Sequence, residues 1–135
     1  MSHYMKIKTQ IKSQDSLVKA LCKMGYKENQ IEVHEEATCL YGYQGDARKD
    51  KANIIIRRKN VGSMSNDIGY RRTEDGTFEA VISQYDSNKH NKAWQEGVEM
   101  HYGVEQTKKA FHQYGWQYEE KTNDKGQVVL VGQHY

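Results

Sequence analysis

Six histidines, two cysteines and eighteen carboxylates are the residues of this 135-residue chain best suited to holding a metal or moving a proton, and their spacing argues against most such chemistry. His101 and His112 fall on one helix face eleven residues apart, about 16 Å, too far to share a metal ion. His3 and His134 meet only if the ends of the chain pair, and they lack a third ligand. Solvated or packed single histidines are the default reading. Cys22 and Cys39 make neither a disulfide framework nor a zinc set, and Cys22, on the apolar face of a predicted helix, reads as a small buried thiol. Glu35-Glu36 and Glu119-Glu120 are neighbours in strand-like segments, so each pair points to opposite faces and neither forms a carboxylate dyad. No Gly-x-Ser-x-Gly elbow occurs. The expectation is a protein with no catalytic residues, no metal and no cofactor.

Anion binding fares better. Gly42-Tyr43-Gln44-Gly45 lacks the lysine and hydroxyl of a P-loop and lacks Gly-x-Gly-x-x-Gly. It does place flexible backbone beside Tyr41, Tyr43, Arg48, Lys49 and Lys51. Aromatic rings and cations together stack on and neutralise a nucleotide or similar anion; an ordinary mobile, solvated loop is the alternative, and the preferred one. Arg57-Arg58-Lys59 and Arg71-Arg72 end two neighbouring predicted strands. Alternation lets Arg57 and Arg71 share a face if the register allows. Either they form an anion site or they serve structure, as edge charges or as partners of Asp67 and Glu79. The candidate ligand residues are therefore Tyr41, Tyr43, Arg48, Arg57 and Arg71.

The elements that must position these residues read as follows. Met5, Ile7, Thr9 and Ile11 alternate with polar residues, a strand with one wet face. Ser13 or Asp15 caps a helix with Leu17, Leu21 and Met24 on one side, ended by Gly25. Ile31 and Val33 begin a second strand. Residues 41–52 read as a polar loop, and Asn53 to Arg57 as a β-branched central strand. Residues 62–66 read as a loop. Ile68 to Arg72 and Phe78 to Tyr85 form a hairpin around Asp75-Gly76. Trp94 to Tyr114 carries helical spacing that Gly103 either interrupts or does not. A last hairpin joins Tyr118–Lys121 to Val128–Val131. With no proline, nothing forces a kink.

Hairpin-joined strands with helices near each end imply an α+β fold, an antiparallel sheet with helices packed on one face, in one domain spanning 1–135. Lys19-Ala20-Leu21-Cys22-Lys23-Met24-Gly25-Tyr26 returns as Lys109-Ala110-Phe111-His112-Gln113-Tyr114-Gly115-Trp116, which suggests pseudo-duplicated strand–helix–strand halves. Leu, Ile, Val and Phe make up about 17% of the chain, a thin core that ten Tyr and two Trp supplement and that leaves room for burial against a protein partner or a second copy. The net charge of +2 gives no strong nucleic-acid signal. No signal peptide and no long apolar run is read, so an intracellular, cytoplasmic protein is expected, without membrane attachment.

The start Met-Ser-His-Tyr, Lys8-Thr9-Gln10-Ile11-Lys12, Tyr41-Gly42-Tyr43, Ala52-Asn53-Ile54-Ile55-Ile56-Arg57, Asp67-Ile68-Gly69-Tyr70 and the stretch Val128 to Tyr135 together resemble the family named after the plastid hypothetical reading frame thirty-five. That family occurs in algal plastids, cyanobacteria, other bacteria and phages. The resemblance implies a small α+β domain, no established catalytic residues, and relatives encoded beside an AAA-type ATPase. The charge of segments 6–12 and 86–92 points to a bacterial or phage setting, with a plastid stroma as the alternative. Two functions follow as expectations. One is a non-catalytic accessory protein that binds another protein, such as that ATPase. The other is a binder of a small anionic ligand such as a nucleotide.

Overall fold

The computed structural model describes residues 3–133. Met1, Ser2, His134 and Tyr135 lie outside the described residues, and with them any pairing of His3 with His134. Strands β1 (Tyr4–Lys8), β2 (Ile31–Tyr41), β3 (Ala47–Ile56), β4 (Ile68–Arg72) and β5 (Phe78–Ser83) form an antiparallel sheet in the order β1-β5-β4-β3-β2. Strands β6 (Gln117–Thr122) and β7 (Val128–Gln133) form a separate antiparallel pair. Helices α1 (Gln14–Lys23) and α3 (Lys92–Gln113) are the long ones, and α2 (Arg58–Val61) is one turn. The fold is α+β, as the pattern of hairpins and helices implies. β1 and β7 belong to different sheets.

Sequence explains the helices directly. Ser13 caps α1 by accepting a hydrogen bond from the Ser16 N–H. Leu17, Ala20 and Leu21 then recur on one side and are fully buried. Against them lie Ile54, Ile56, Ile68, Tyr70, Phe78, Ala80 and Ile82, which alternate onto one face of the sheet, and Val98 of α3. Asn91 caps α3 through the Trp94 N–H. Gly103 does not interrupt this helix; Thr107 Oγ1 donates to the Gly103 carbonyl within it.

The opposite face is not wet. Leu40, Ala52, Ile55 and Val81 form a second buried cluster, with Tyr4 packed against it. The segment expected as a loop over 41–52 is strand from Ala47 onward, with the reversal confined to 42–46. Register shifts between Val33 and Thr38 and between Cys39 and Tyr41 bend the β2–β3 hairpin, and its distal half folds across the sheet. Asn53 stitches the bend. Its amide donates to the carbonyls of His34 and Glu35, and its Oδ1 accepts from the Arg72 N–H. Gly69 admits the hairpin, because a Cβ there would lie 2.5 Å from the Ala52 Cβ. Among the described residues, eleven polar or charged side chains are as buried as the core, so polar networks supplement the few apolar side chains.

Candidate functional site

The ends of β2 and β3, the turn between them, α2 and the loop before β4 surround a cleft of about 610 Å³. Tyr41, Gly45, Arg57, Arg58, Lys59, Gly62, Ser63 and Asp67 line it. The volume falls within the range of small-molecule sites.

Asp67 organises the cleft. It is 1% exposed, and both carboxylate oxygens are occupied. Oδ2 accepts from the Tyr41 N–H at 2.7 Å and from Arg57 Nη1 at 2.8 Å, and Oδ1 accepts from the Arg58 N–H at 2.7 Å. The Asp67 N–H donates to the Tyr41 carbonyl, and the Asp67 carbonyl accepts from the Tyr4 hydroxyl. One residue thus ties β1, β2, β3 and α2 together. A buried carboxylate is tolerable only with such complete pairing.

Arg57 supplies the matching cation. Its Nε and Nη2 bond both oxygens of Glu32, at 2.7 and 2.8 Å, while Nη1 serves Asp67 and the Cys39 carbonyl. Its guanidinium also lies over the Tyr41 ring, 5.5 Å from the centroid. The Glu32 bidentate bond, with help from Asp67 and against partial burial, raises the Arg57 pKa above its ordinary value. The same bond, assisted by His34 at 2.8 Å, holds the Glu32 carboxyl below the usual carboxylate range. Burial, reinforced by the Asp67 charge, pushes the Tyr4 phenol up.

Of the five residues singled out from sequence, Tyr41 and Arg57 meet in this cleft. Tyr43 sits in the turn, 38% exposed, its N–H bonded to Asn66 Oδ1. Arg48 and Arg71 do not join them. Arg48 lies over the Tyr4 ring, and Arg71 stands across from Glu79. Arg57 and Arg71 sit at opposite ends of the β3–β4 pair, because Ile56 faces Ile68 and Ile54 faces Tyr70. The structural role weighed for Arg57, as a partner of Asp67, is realised. Sequence reasoning missed Glu32, Arg58, Lys59 and Ser63 as neighbours of the site. Arg58 and Lys59 were visible as part of a basic run, but their place on a separate helical turn was not.

The cleft is cationic at its mouth. Among the described residues, no carboxylate lies within ion-pair distance of the Arg58 or Lys59 side chains. Among the described residues, no group of three His, Cys, Asp or Glu side chains is placed to hold a metal ion. No helix is long and apolar enough to cross a membrane among the described residues.

A family model described as "Protein of unknown function (DUF1257)" matches residues 20–131. No curated protein and no solved structure matches the chain.

Proposed function

The chain belongs to the DUF1257 family, a family of unknown function, and from that premise we propose that it is a non-catalytic binder of a small anionic ligand of the nucleotide class. The observation that carries this reading is the cleft bounded by Tyr41, Arg57, Arg58 and Lys59. Arg57 is spent on Glu32 and Asp67, so it holds the wall in shape. Arg58 and Lys59 are the cations that meet the ligand, and Tyr41, 41% exposed, offers ring surface. Both Asp67 oxygens are engaged in hydrogen bonds that hold the cleft together, which favours a positioning role for this residue. The kinship with the plastid reading-frame family is part of the same proposal; within the matched span it rests on Tyr41-Gly42-Tyr43, Ala52 to Arg57, Asp67 to Tyr70 and the start of the stretch from Val128.

Native mass spectrometry of gently purified protein, with a thermal-shift panel of nucleotides, tests this reading. A saturating ligand at a hundred times its dissociation constant adds about 2.7 kcal/mol, a rise on the order of 10 °C in melting temperature for a chain of this size. Arg58→Ala with Lys59→Ala should abolish the shift and leave the unliganded melt in place. A bare apo mass together with a flat panel would sink the idea.

A second reading, an accessory protein with the AAA-type ATPase of the family resemblance as its partner, draws support from the C-terminal end. There Tyr114, Trp116, Tyr118, Val129 and Val131 are 71, 39, 40, 43 and 45% exposed. A two-stranded hairpin is marginal alone in water, and covering it would add stability. Co-purification of the ATPase with the native protein, lost on Val129→Lys with Val131→Lys, is the expected result; an ATPase that never co-purifies refutes it.

A further inference from the structure

The folded-over hairpin creates a second surface unrelated to the cleft. Where the distal part of β3 approaches β1, two recesses of about 210 and 380 Å³ share Lys6, Lys49 and Asp50. Lys51 and Arg71 complete the first, and His3, Tyr4 and Arg48 the second. Among the described residues, Asp50 is the one acid lining them. Lys6, Lys49, Lys51 and Arg71 are exposed, and among the described residues none is within ion-pair distance of a carboxylate. The net charge of +2 hides this, because the acids lie elsewhere in the fold. Lys8 on β1 and Arg71 on β4 both stand across from Glu79, and the Lys8 charge also acts on Asp75, so the basic strip ends at Arg71.

We infer that this groove between β1 and distal β3 binds an extended single-stranded nucleic acid through its phosphates. Lys49 and Lys51 are two residues apart in β3, and both line the first recess. Lys6 and Arg71 present further cations from two other strands of the same sheet. A linear polyanion laid between these rows contacts several cations at once, and the released counterions drive binding without apolar burial. That distinguishes it from an acidic peptide, whose affinity rests on buried aromatic or apolar anchors. The groove offers no such anchor, since the Tyr4 ring is covered by the Arg48 guanidinium. Beyond Arg48 the same hairpin carries Tyr43, an exposed ring on which an unpaired base stacks.

Fluorescence anisotropy of a labelled twelve-residue oligothymidylate with the full chain tests this. Four phosphate contacts give a log–log salt slope of about −2.8, an about 50-fold loss of affinity between 50 and 200 mM salt. Lys49→Glu with Lys51→Glu should flatten the slope by about 1.4 and cut affinity at least about tenfold. The same charge change at Lys121 and Lys125, on the remote β6–β7 hairpin, should cost far less. Circular dichroism melts establish that both variants fold; should the Lys49/Lys51 variant fail to, Lys49→Gln with Lys51→Gln takes its place. The inference is overturned by no binding at 50 mM salt, by equal losses from the two charge reversals, or by polyglutamate displacing the oligonucleotide at equal charge concentration.

Discussion

The sequence echo around Gly25 and Gly115 builds the same local structure twice and puts it to different use. In both copies the helix ends in matching bonds. Met24 N–H donates to the Ala20 carbonyl, as Tyr114 N–H does to Ala110; Gly25 donates to Cys22, as Gly115 does to His112. Tyr26 donates to Leu21 as Trp116 does to Phe111. Both glycines have positive φ. Burial then diverges. Ala20 and Leu21 are fully buried, and the Tyr26 hydroxyl bonds His90 Nε2 at 2.7 Å. Tyr114 and Trp116 face water, and Phe111 is half-buried against the rings of Trp116 and Tyr118. The chain after Tyr26 enters the five-stranded sheet, whereas the chain after Trp116 enters the separate β6–β7 pair. The cap is written in eight residues, while the burial depends on what the rest of the molecule brings to them. Nor does the architecture repeat: α1 joins opposite edges of one sheet, and α3 leads out of it.

The largest effect should come from truncating the apolar residue of each copy. Leu21→Ala opens a cavity in a fully buried site and should cost about 3 to 5 kcal/mol. Phe111→Ala should cost about 1 to 2 kcal/mol, since much of its surface already meets water and the loss is one ring cluster. The character should differ too. Without Phe111 the β6–β7 hairpin loses its support, so Trp116 fluorescence, read in a Trp94→Phe background, should shift to the red while the main-sheet melt stays near that of the Trp94→Phe parent. Urea unfolding followed by both signals checks this. Equal global losses from the two substitutions would erase the distinction between a core copy and a peripheral one.

Local signals carried most of the fold, and their failures share one cause. The alternation in β1, the Ser13 cap and the Asp75-Gly76 turn each involve residues adjacent in sequence, and each is present in the structure. Residues 47–52 read as loop from sequence and are strand in the structure, because Arg48, Lys49, Asp50 and Lys51 put charge on both sides and leave no alternation to read. Their strand character comes from pairing with β2, not from propensity. The covered second face followed from the same omission, since no local pattern announces that a hairpin bends at Asn53 and folds back. In the cleft, Tyr41 and Arg57 were legible as an aromatic and a cation. Glu32 and Asp67 lie 25 and 10 residues from Arg57, and their convergence is set by register.

The next effect is acid sensitivity beside the first copy. His90 is 2% exposed, with Tyr26 on Nε2, the edge of Trp94 at 4.6 Å and no partner on Nδ1. Burial holds its pKa below the ordinary 6.5, with the Asp86 charge opposing and Lys89 assisting. Above about pH 6.5 it is neutral folded or unfolded and stability is full. As pH falls below 6.5 the unfolded chain takes the proton first, so stability declines until the folded-state pKa is passed. Urea midpoints across pH 7.5 to 5 should therefore fall, and His90→Gln should flatten part of that slope. Parallel slopes in wild type and H90Q would remove His90 from the account.

The smallest effect tests whether the two caps are as alike as their bonds suggest. A Cβ at Gly25 or Gly115 meets nothing within 4 Å, so alanine there costs only backbone strain, about 1 kcal/mol or somewhat more. The φ angles nevertheless differ, +71° at Gly115 and +114° at Gly25. The first is near the left-handed minimum that asparagine also visits, and the second is well beyond it. Gly115→Asn should therefore recover most of what Gly115→Ala loses, whereas Gly25→Asn should recover little. Thermal melts of the four variants decide the matter, read by amide circular dichroism for Gly25 and by Trp116 fluorescence for Gly115. Asparagine rescue of equal size at both sites would mean that the caps are interchangeable, and that the copies differ only in what surrounds them.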